Sequence, residues 1–220
     1  MNIYAVGDIH GCLDQLEQLL DEVQPDLEKD LLLFVGDYID RGPESRGVVD
    51  YILRLQQQYP RERIICLKGN HEAMFLDFLE GRERELFLFN GGVSTLRDYW
   101  GDNWDRKELH LPPEHEQFYQ ELLPFYETPD YIFVHGGLKP SVPLVEQVEE
   151  DLLWIRGEFI ASLEDFGRLV IFGHTPFKRP LVMPNKIGID TGAVYGNFLT
   201  CLKLPDKEFF IKGYELLDDG

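Results

Sequence analysis

The stretch LLLFVGDYIDRGP, residues 31–43, sets a short apolar run directly against a polar turn. An apolar run of this length is typical of a buried strand. The polar end carries Asp37, Asp40 and Arg41, with glycine on both sides. Glycine and aspartate are ordinary turn residues, so this stretch alone leaves a simple turn and a functional loop about equally open. The rest of the chain has to decide between them.

The same unit of strand, polar loop and helix occurs three times in succession. Apolar segments 3–6, 31–35 and 64–67 are each followed by a polar loop and then by apolar residues at helical spacing. This order predicts an α/β fold with parallel strands. The middle, 82–123, is predicted to be largely helical, and later strands are predicted at 131–134, 169–172, 187–189, 198–202 and 209–211. Residues 1–220 are predicted to form one domain.

The charge of the chain limits its partners. The 220 residues include 21 basic and 40 acidic side chains, for a formal net charge of −19. Such a surface repels phosphate backbones, so we expect no nucleic-acid partner. A phosphorylated substrate would need strong positive charge inside the site, which metal ions could supply. No window approaches the roughly 18–20 apolar residues of a membrane span, and the N-terminus does not resemble a signal peptide. We therefore expect a cytoplasmic protein without a membrane partner.

Cysteine chemistry and nucleotide-triphosphate loops are both disfavoured. The three cysteines are widely spaced and form no CxxC pair, which argues against a disulfide framework and a zinc ribbon. A cysteine phosphatase places arginine six residues after its nucleophile, but those positions hold Gln18, Glu72 and Lys207. The GxxxxGK[ST] phosphate loop is also missing from the sequence.

Five apolar strands end in residues that commonly bind metals. In open α/β sheets, ligands gather beyond the carboxyl ends of the strands. The motifs are GDIHG, GDYIDRG, GNHE, HGG and GHT, and they supply Asp8, His10, Asp37, Asn70, His71, His135 and His174. Glycine lets the backbone turn sharply and lets a ligand approach closely. Five coincidences of strand end, glycine and ligand side chain predict a metal site.

In this order the five motifs resemble the calcineurin-like metallophosphoesterases. More narrowly, they resemble the bacterial and phage branch of the PPP-type serine/threonine protein phosphatases. The resemblance covers residues 7 to about 203, including the stretch DTGAVYGNFLTCLKL. It implies an α/β fold of two packed mixed sheets flanked by helices, in the layer order α/β/β/α. It also implies a phosphomonoester hydrolase with two divalent ions. Oxygen and imidazole ligands favour manganese first, with iron or zinc as alternatives.

The resemblance also implies a role for each site residue. It places Asp8, His10 and Asp37 on the first ion and Asp37, Asn70, His135 and His174 on the second, with Asp37 bridging the two. A hydroxide shared by the ions would attack phosphorus. Arg41 and Arg156 would bind the phosphoryl oxygens, and Asn70 would also contact the substrate. His71 would protonate the leaving alkoxide, and Asp40 would orient its imidazole.

Three functions remain open on the sequence. The first is a protein phosphatase acting on phosphoserine, phosphothreonine or phosphotyrosine in a protein or peptide. The second is a symmetrical diadenosine tetraphosphate hydrolase, although those enzymes typically lack an acid at the position of Asp40 and carry GNHD. The third is an inactive scaffold, which the presence of every matched ligand residue disfavours. No partner subunit can be inferred, because the SAPNYC segment of the eukaryotic enzymes is missing.

Some remaining histidines and aromatic residues are predicted to have no chemical role. His110 and His115 lie in a polar, proline-containing segment and are expected at the surface. The aromatic residues Phe75, Phe78, Phe87 and Phe89 are expected in the core.

Overall fold

The apolar runs of the sequence form the strands of two five-stranded sheets. The computed structural model describes residues 1–213, so residues 214–220 of the predicted domain lie outside the described part. The strands are β1 Ile3–Val6, β2 Leu31–Phe34, β3 Ile64–Cys66, β4 Phe125–Glu127, β5 Tyr131–Val134, β6 Leu169–Phe172, β7 Leu181–Val182, β8 Lys186–Gly188, β9 Phe198–Leu204 and β10 Glu208–Gly213.

Each sheet has a parallel centre and antiparallel strands beside it. The first sheet has the order β10-β9-β1-β2-β3, and the second has the order β4-β5-β6-β8-β7. Strands β1, β2 and β3 are parallel, as are β5, β6 and β8. Strands β9 and β10 join the first sheet antiparallel, and β4 and β7 do so in the second. The prediction of parallel strands therefore holds for the strands that precede the polar loops.

The two sheets pack face to face through alternate residues of their strands. Ile3 and Ala5 of β1 lie in an apolar cluster with Phe133 of β5 and Ile171 of β6. The intervening residue Tyr4 belongs to a different cluster, on the outer face of the first sheet. Successive side chains of a strand point to opposite faces, so one short apolar run serves two cores.

Helices cover both outer faces. They are α1 Leu13–Val23, α2 Ser45–Gln58, α3 Asn70–Leu79, α4 Arg84–Phe87, α5 Val93–Trp100, α6 Pro113–Gln120, α7 Glu149–Trp154 and α8 Gly157–Ala161. The first six supply apolar residues to the cluster on the first sheet, and α7 and α8 pack on the second. This arrangement confirms the predicted layers, helices, sheet, sheet and helices. Within residues 1–213, none of these helices is both long and apolar enough to cross a membrane.

Two side-chain predictions are wrong. His115 is buried rather than at the surface, because Asp50 accepts from its Nε2 at 2.9 Å and Tyr99 lies 2.7 Å from its Nδ1. These partners replace water for both ring nitrogens. Phe89 is 90% exposed instead of buried. It lies in the π-helical segment Leu88–Gly92, where Gly91 has a φ of 101°, and this irregularity breaks the helical phase of the aromatic residues.

Candidate metal centre

The carboxyl ends of the parallel strands of both sheets meet at one buried place. Asp8 and His10 follow β1, Asp37 follows β2, Asn70 and His71 begin α3 after β3, His135 follows β5 and His174 follows β6. All seven residues are buried. Every ligand residue predicted from the sequence is therefore brought to the same place, where the edges of the two sheets adjoin.

Asp37 lies at the centre of the imidazoles. Its Oδ1 lies 3.3 Å from His135 Nε2, and its Oδ2 lies 3.4 Å from His10 Nε2 and 4.0 Å from His71 Nε2. Two sets of side chains have ligand atoms within 4.8 Å of one another: His10, Asp37 and His71, and Asp37, His135 and His174. Asp37 belongs to both sets, as a bridging ligand must.

The first set differs from the predicted one in one residue. His71 lies with His10 and Asp37, whereas the resemblance implied Asp8 at that ion. Both oxygens of the Asp8 carboxylate instead accept the backbone N–H of His174, at 2.9 and 3.1 Å. Asn70 lies beside the second set, with its Oδ1 2.9 Å from His135 Nε2.

Hydrogen bonds fix how two of the imidazoles face the centre. The Nδ1–H of His10 donates to the carbonyl of Ile39 at 2.8 Å, and that of His135 donates to Val35 at 2.9 Å. Burial lowers the pKa of His10 to about 3 and lowers the pKa of His135. Both rings are therefore neutral, with the proton on Nδ1 and the lone pair on Nε2, the ring nitrogen near Asp37. This is the state in which histidine binds a metal.

His174 gives the clearest test of whether the site suits a metal. Neither of its ring nitrogens has a hydrogen-bond partner among the described residues, although the side chain is buried. Burial, followed by the neighbouring His135, lowers its pKa to about 2, so the ring is neutral. A buried polar atom without a partner costs free energy unless a ligand binds it. A divalent ion fits these residues.

Buried carboxylates add to the demand for a cation. Burial raises the pKa of Asp8 well above its usual value, and repulsion from Asp190 and Asp37 raises it further. Asp190 itself lies in the stretch DTGAVYG, and burial raises its pKa to about 6. Positive charge would relieve this repulsion. The sequence analysis assigned no role to Asp190, although the stretch that contains it was part of the resemblance.

The backbone around the centre has an unusual conformation that brings the ligands close. His10, Asp37 and His174 have positive φ angles of 47°, 54° and 63°. A Cβ atom on Gly69 would overlap Asp37 Oδ1, and one on Gly173 would overlap Asp8 Oδ1. The glycines of GNHE and GHT are thus required by close approach of a carboxylate. Strained residues of this kind concentrate at functional sites.

The two predicted arginines lie on different sides of the centre. Arg41 Nη1 donates to His10 Nε2 at 2.6 Å, and its guanidinium lies 5.6 Å from the centre of the Tyr195 ring. Arg156 Nη1 donates to the carbonyl of His174 at 3.0 Å. A positively charged guanidinium group therefore lies beside each of the two sets of side chains.

His71 and Asp40 form a buried pair. His71 Nδ1 lies 2.6 Å from Asp40 Oδ2, and the side chains are 1% and 0% exposed. His71 Nε2 has no hydrogen-bond partner among the described residues and faces Asp37. The other Asp40 oxygen, Oδ1, accepts from the hydroxyl of Thr95 at 2.5 Å. Sequence reasoning missed Thr95, since a lone threonine in a helical region carries no signal.

Comparison with known proteins identifies relatives with two different activities. Serine/threonine-protein phosphatase 1 of Salmonella typhimurium is 32% identical over 212 residues, which cover 92% of each chain. The asymmetrical bis(5'-nucleosyl)-tetraphosphatase PrpE of Oceanobacillus iheyensis is 26% identical over 234 residues, covering 95% of this chain and 91% of PrpE. The crystal structure of a candidate diadenosine tetraphosphatase superposes with a TM-score of 0.77 at 26% identity, covering 97% of this chain and 94% of that one.

These relatives correct one alternative. The tetraphosphatase PrpE is named asymmetrical, so the competing function is asymmetrical cleavage and not the symmetrical cleavage considered from the sequence. The model of the calcineurin-like phosphoesterase family matches residues 1–195. That match includes every strand end that carries a predicted ligand, and the chain therefore belongs to the calcineurin-like phosphoesterases.

Proposed function

We propose that this protein is a two-metal phosphomonoesterase that removes phosphate from phosphoserine and phosphothreonine in proteins or peptides. The observation that carries the proposal is the buried pair of His71 and Asp40 at 2.6 Å. A serine alkoxide is a poor leaving group and needs a proton as the P–O bond breaks. The nucleoside triphosphate released from a dinucleoside tetraphosphate leaves as a stable anion and needs less help. The phosphatase of Salmonella typhimurium, at 32% identity, supports the same choice.

The metal ligands are proposed as the sequence implied them, with Asp8 and not His71 on the first ion, because His71 is paired with Asp40. Asp8, His10 and Asp37 would hold one ion, and Asp37, Asn70, His135 and His174 would hold the other. Two divalent ions bound there would neutralise phosphoryl charge and lower the pKa of a water that acts as nucleophile. Manganese suits this donor set of carboxylate, amide and imidazole.

The remaining side chains act on the phosphate and on the leaving group. Arg41 and Arg156 bind phosphoryl oxygens from opposite sides, with the fork geometry that suits such oxygens. Asp40 accepts the Nδ1–H of His71, so that the proton to be transferred sits on Nε2. Among residues 1–213 that nitrogen has no hydrogen-bond partner, so it is available to the leaving oxygen.

Asymmetrical dinucleoside tetraphosphate hydrolysis is the second candidate, and two exposed aromatic rings favour it. Tyr195 is 63% exposed beside Arg41. Trp154 is 37% exposed and lies edge-on to His174, 6.0 Å away. An aromatic ring next to a cation suits a nucleotide, because the ring stacks on the base while the cation meets the phosphate.

A substrate comparison separates these functions. The metal-reconstituted protein would be assayed on phosphoserine, phosphothreonine and phosphotyrosine peptides beside diadenosine tetraphosphate. We expect kcat/KM to be highest on the phosphoserine and phosphothreonine peptides. A clear preference for the dinucleotide would replace the proposal by the second candidate.

The role of His71 is tested by the leaving group. His71→Asn should slow phosphoserine peptide hydrolysis by about 10²–10⁴-fold, with a clearly smaller effect on p-nitrophenyl phosphate, because p-nitrophenolate departs without a proton. Metal content should not change. The matched control is His110→Asn, a histidine with a side chain 75% exposed. Equal losses on both substrates would assign His71 to positioning, and loss of metal would make it a ligand.

A further inference from the structure

Thr95 is a buried hydroxyl aimed at the proposed acid pair from outside the metal centre. It lies on the first turn of α5, within a region where the sequence shows no chemical motif, and it is 0% exposed. Its Oγ1 lies 2.5 Å from Asp40 Oδ1. The opposite oxygen of the same carboxylate, Oδ2, meets His71 Nδ1. Thr95, Asp40 and His71 therefore form one continuous chain of hydrogen bonds.

The donors and acceptors of this chain have only one consistent arrangement. An ionised carboxylate can only accept, so the Thr95 hydroxyl donates to Asp40. The Asp40 backbone N–H donates to Thr95 Oγ1 at 2.9 Å and to Ser45 Oγ at 3.0 Å. Ser45 Oγ lies 3.0 Å from Thr95 Oγ1, and its hydroxyl proton completes the set by donating to that oxygen. Both Asp40 carboxylate oxygens and both hydroxyl groups therefore have partners, so the network holds the carboxylate in one orientation.

Asp40 needs such support because of its own backbone. Its φ of 74° is in the left-handed region, where a side chain on an ordinary residue is strained. The residue is also 0% exposed, so Oδ1 is not in contact with bulk water. Without the Thr95 hydroxyl, that oxygen would be a buried charge with no partner, and the carboxylate could turn away from His71.

We propose that Thr95 is a positioning residue for proton transfer: its hydroxyl fixes the Asp40 carboxylate so that Oδ2 holds the Nδ1–H of His71 and the transferable proton stays on Nε2. Ser45 orients the Thr95 hydroxyl from α2. The proposal rests on the acid role of His71 in the proposed function. It gives helices α2 and α5 an indirect part in the reaction, acting through Asp40 and His71, although neither supplies a metal ligand.

The test uses the isosteric change Thr95→Val on the metal-loaded enzyme. We expect hydrolysis of a phosphoserine peptide to fall by about 10- to 100-fold, as is usual when a supporting hydrogen bond is removed. The rate on p-nitrophenyl phosphate should change by no more than about threefold, since its leaving group needs no acid. Thr95→Ser keeps the hydroxyl and should restore the wild-type ratio of the two rates. Metal content is measured for each variant.

The matched control is Thr200→Val. Thr200 is equally buried, and its hydroxyl pairs with Thr191 at 2.7 Å and not with Asp40. This control should leave the ratio of the two rates as in the wild type. If Thr95→Val does not fold, Ser45→Ala should shift the same ratio in the same direction by a smaller factor.

Failure of this proposal can be told apart from failure of the proposed function. A selective loss in His71→Asn, together with equal losses on both substrates in Thr95→Val, would reduce Thr95 to a structural residue and leave the acid in place. If Thr95→Val does not fold and Ser45→Ala leaves the ratio of the two rates unchanged, the proposal is also overturned. If His71→Asn itself shows no selectivity, then the acid role and this proposal are both lost.

Discussion

At the scale of single residues, Arg41 and Arg156 have a proposed role, phosphate binding, that can be tested separately from metal binding. Arg41 reaches the centre next to His10, and Arg156 reaches it through the carbonyl of His174. A guanidinium group is a cation without an acceptor atom, so neither arginine is a metal ligand. Their charges can therefore be removed one at a time while the ligands remain.

Arg41→Ala and Arg156→Ala should each lower kcat/KM on every phosphomonoester by about 10²–10³-fold. The reason is that each variant loses a charge-assisted contact to the transferring group, which costs about 3–4 kcal/mol in the transition state. Steady-state kinetics on two substrates with metal analysis of the same samples checks this. Both metals should stay bound.

The surface residue Arg61, which pairs with Glu121, provides the matched control. Arg61→Ala should not change kcat/KM, because a surface ion pair contributes little. Arg156→Ala with wild-type kinetics would place Arg156 among such surface residues and remove it from the proposed site.

At the scale of an element, the side chain of Glu72 connects the start of α3 to the loop after β2 by hydrogen bonds. Glu72 accepts the backbone N–H groups of Asp37, Tyr38 and Gly69, each at 2.9 Å. This contact connects the GNHE and GDYIDRG motifs directly. It also gives a physical reason for glutamate in GNHE, because the side chain has to span from a helix to the neighbouring loop.

Glu72→Gln should lower the free energy of unfolding by about 2–3 kcal/mol. The amide has one oxygen and places an NH₂ group against an N–H donor, so at least one hydrogen bond to a buried backbone N–H is lost. Urea unfolding of the metal-free protein measures this without interference from ligand affinity. Glu121→Gln, at an exposed position, should be close to wild type. Equal stability of the two variants would contradict the role given to Glu72.

A buried lysine fastens α8 to β8 in the second sheet. Lys186 is 0% exposed, and its ammonium group donates to the carbonyls of Phe159 and Ser162. It also lies 4.3 Å from the centre of the Phe159 ring. Because α8 begins directly after Arg156, this contact supports the segment that carries the second arginine.

Lys186→Met should lower the free energy of unfolding by about 1–3 kcal/mol, because two buried carbonyls lose their donor. Burial lowers the pKa of Lys186 in the folded protein below the ordinary value of 10.5, which the residue keeps in the unfolded chain. At a pH between the folded and the unfolded pKa, the unfolded chain therefore binds more protons than the folded one. Stability conferred by this residue therefore rises with pH in that window, and the variant should lack the rise. Thermal unfolding at several pH values, beside the exposed control Lys29→Met, measures both effects. A variant as stable as wild type would show that the carbonyls find other partners.

Elements with strong local patterns were predictable from the sequence, and those defined by tertiary contacts were not. The sequence segments that form β1, β2 and β5 are apolar throughout, and the proposed ligand residues follow directly at their ends. The strands and the ligand residues could therefore both be predicted. Strands β4 and β7, of three and two residues, exist through pairing with β5 and β8. The roles of Thr95 and Asp190 could not be predicted, because they depend on contacts with residues far away in the chain. The burial of His115 likewise depends on partners in α2 and α5.

At the scale of the whole molecule, the candidate metal centre takes residues from both sheets. Asp37 follows a strand of the first sheet, whereas His135 and His174 follow strands of the second, and all three form one set of ligand side chains. An ion bound by this set would hold the sheets together. Metal binding should therefore raise the stability of the entire fold as well as the activity.

Chelation should abolish activity and lower Tm, and manganese should restore both. Ligand binding to the folded state alone stabilises by about 2.7 kcal/mol at a free concentration 100 times Kd. Calorimetry over a manganese titration, run in parallel with an activity assay, measures the two curves. Full activity in a verified metal-free sample would contradict the proposed chemistry.

Asp37→Asn should reduce metal occupancy, activity and the manganese-dependent rise in Tm together, because the amide is a weaker shared ligand. Asp206→Asn, at an exposed position near Lys203, is the matched control and should keep all three. An Asp37→Asn protein with full occupancy and a normal rise in Tm would mean that Asp37 is not a ligand.

The return of β9 to the first sheet has a consequence for how the protein is made. Strand β1 is flanked by β2 and β9, and β9 lies almost two hundred residues further along the chain. During synthesis, β1 therefore has an unpaired edge until residues 198–204 leave the ribosome, and such an edge can pair with another nascent chain. All the proposed metal ligands, of which His174 is the last, emerge before β9. The nascent chain thus passes through a stage in which every proposed ligand residue has emerged but the first sheet is unfinished, with one edge of β1 open to pairing with another chain.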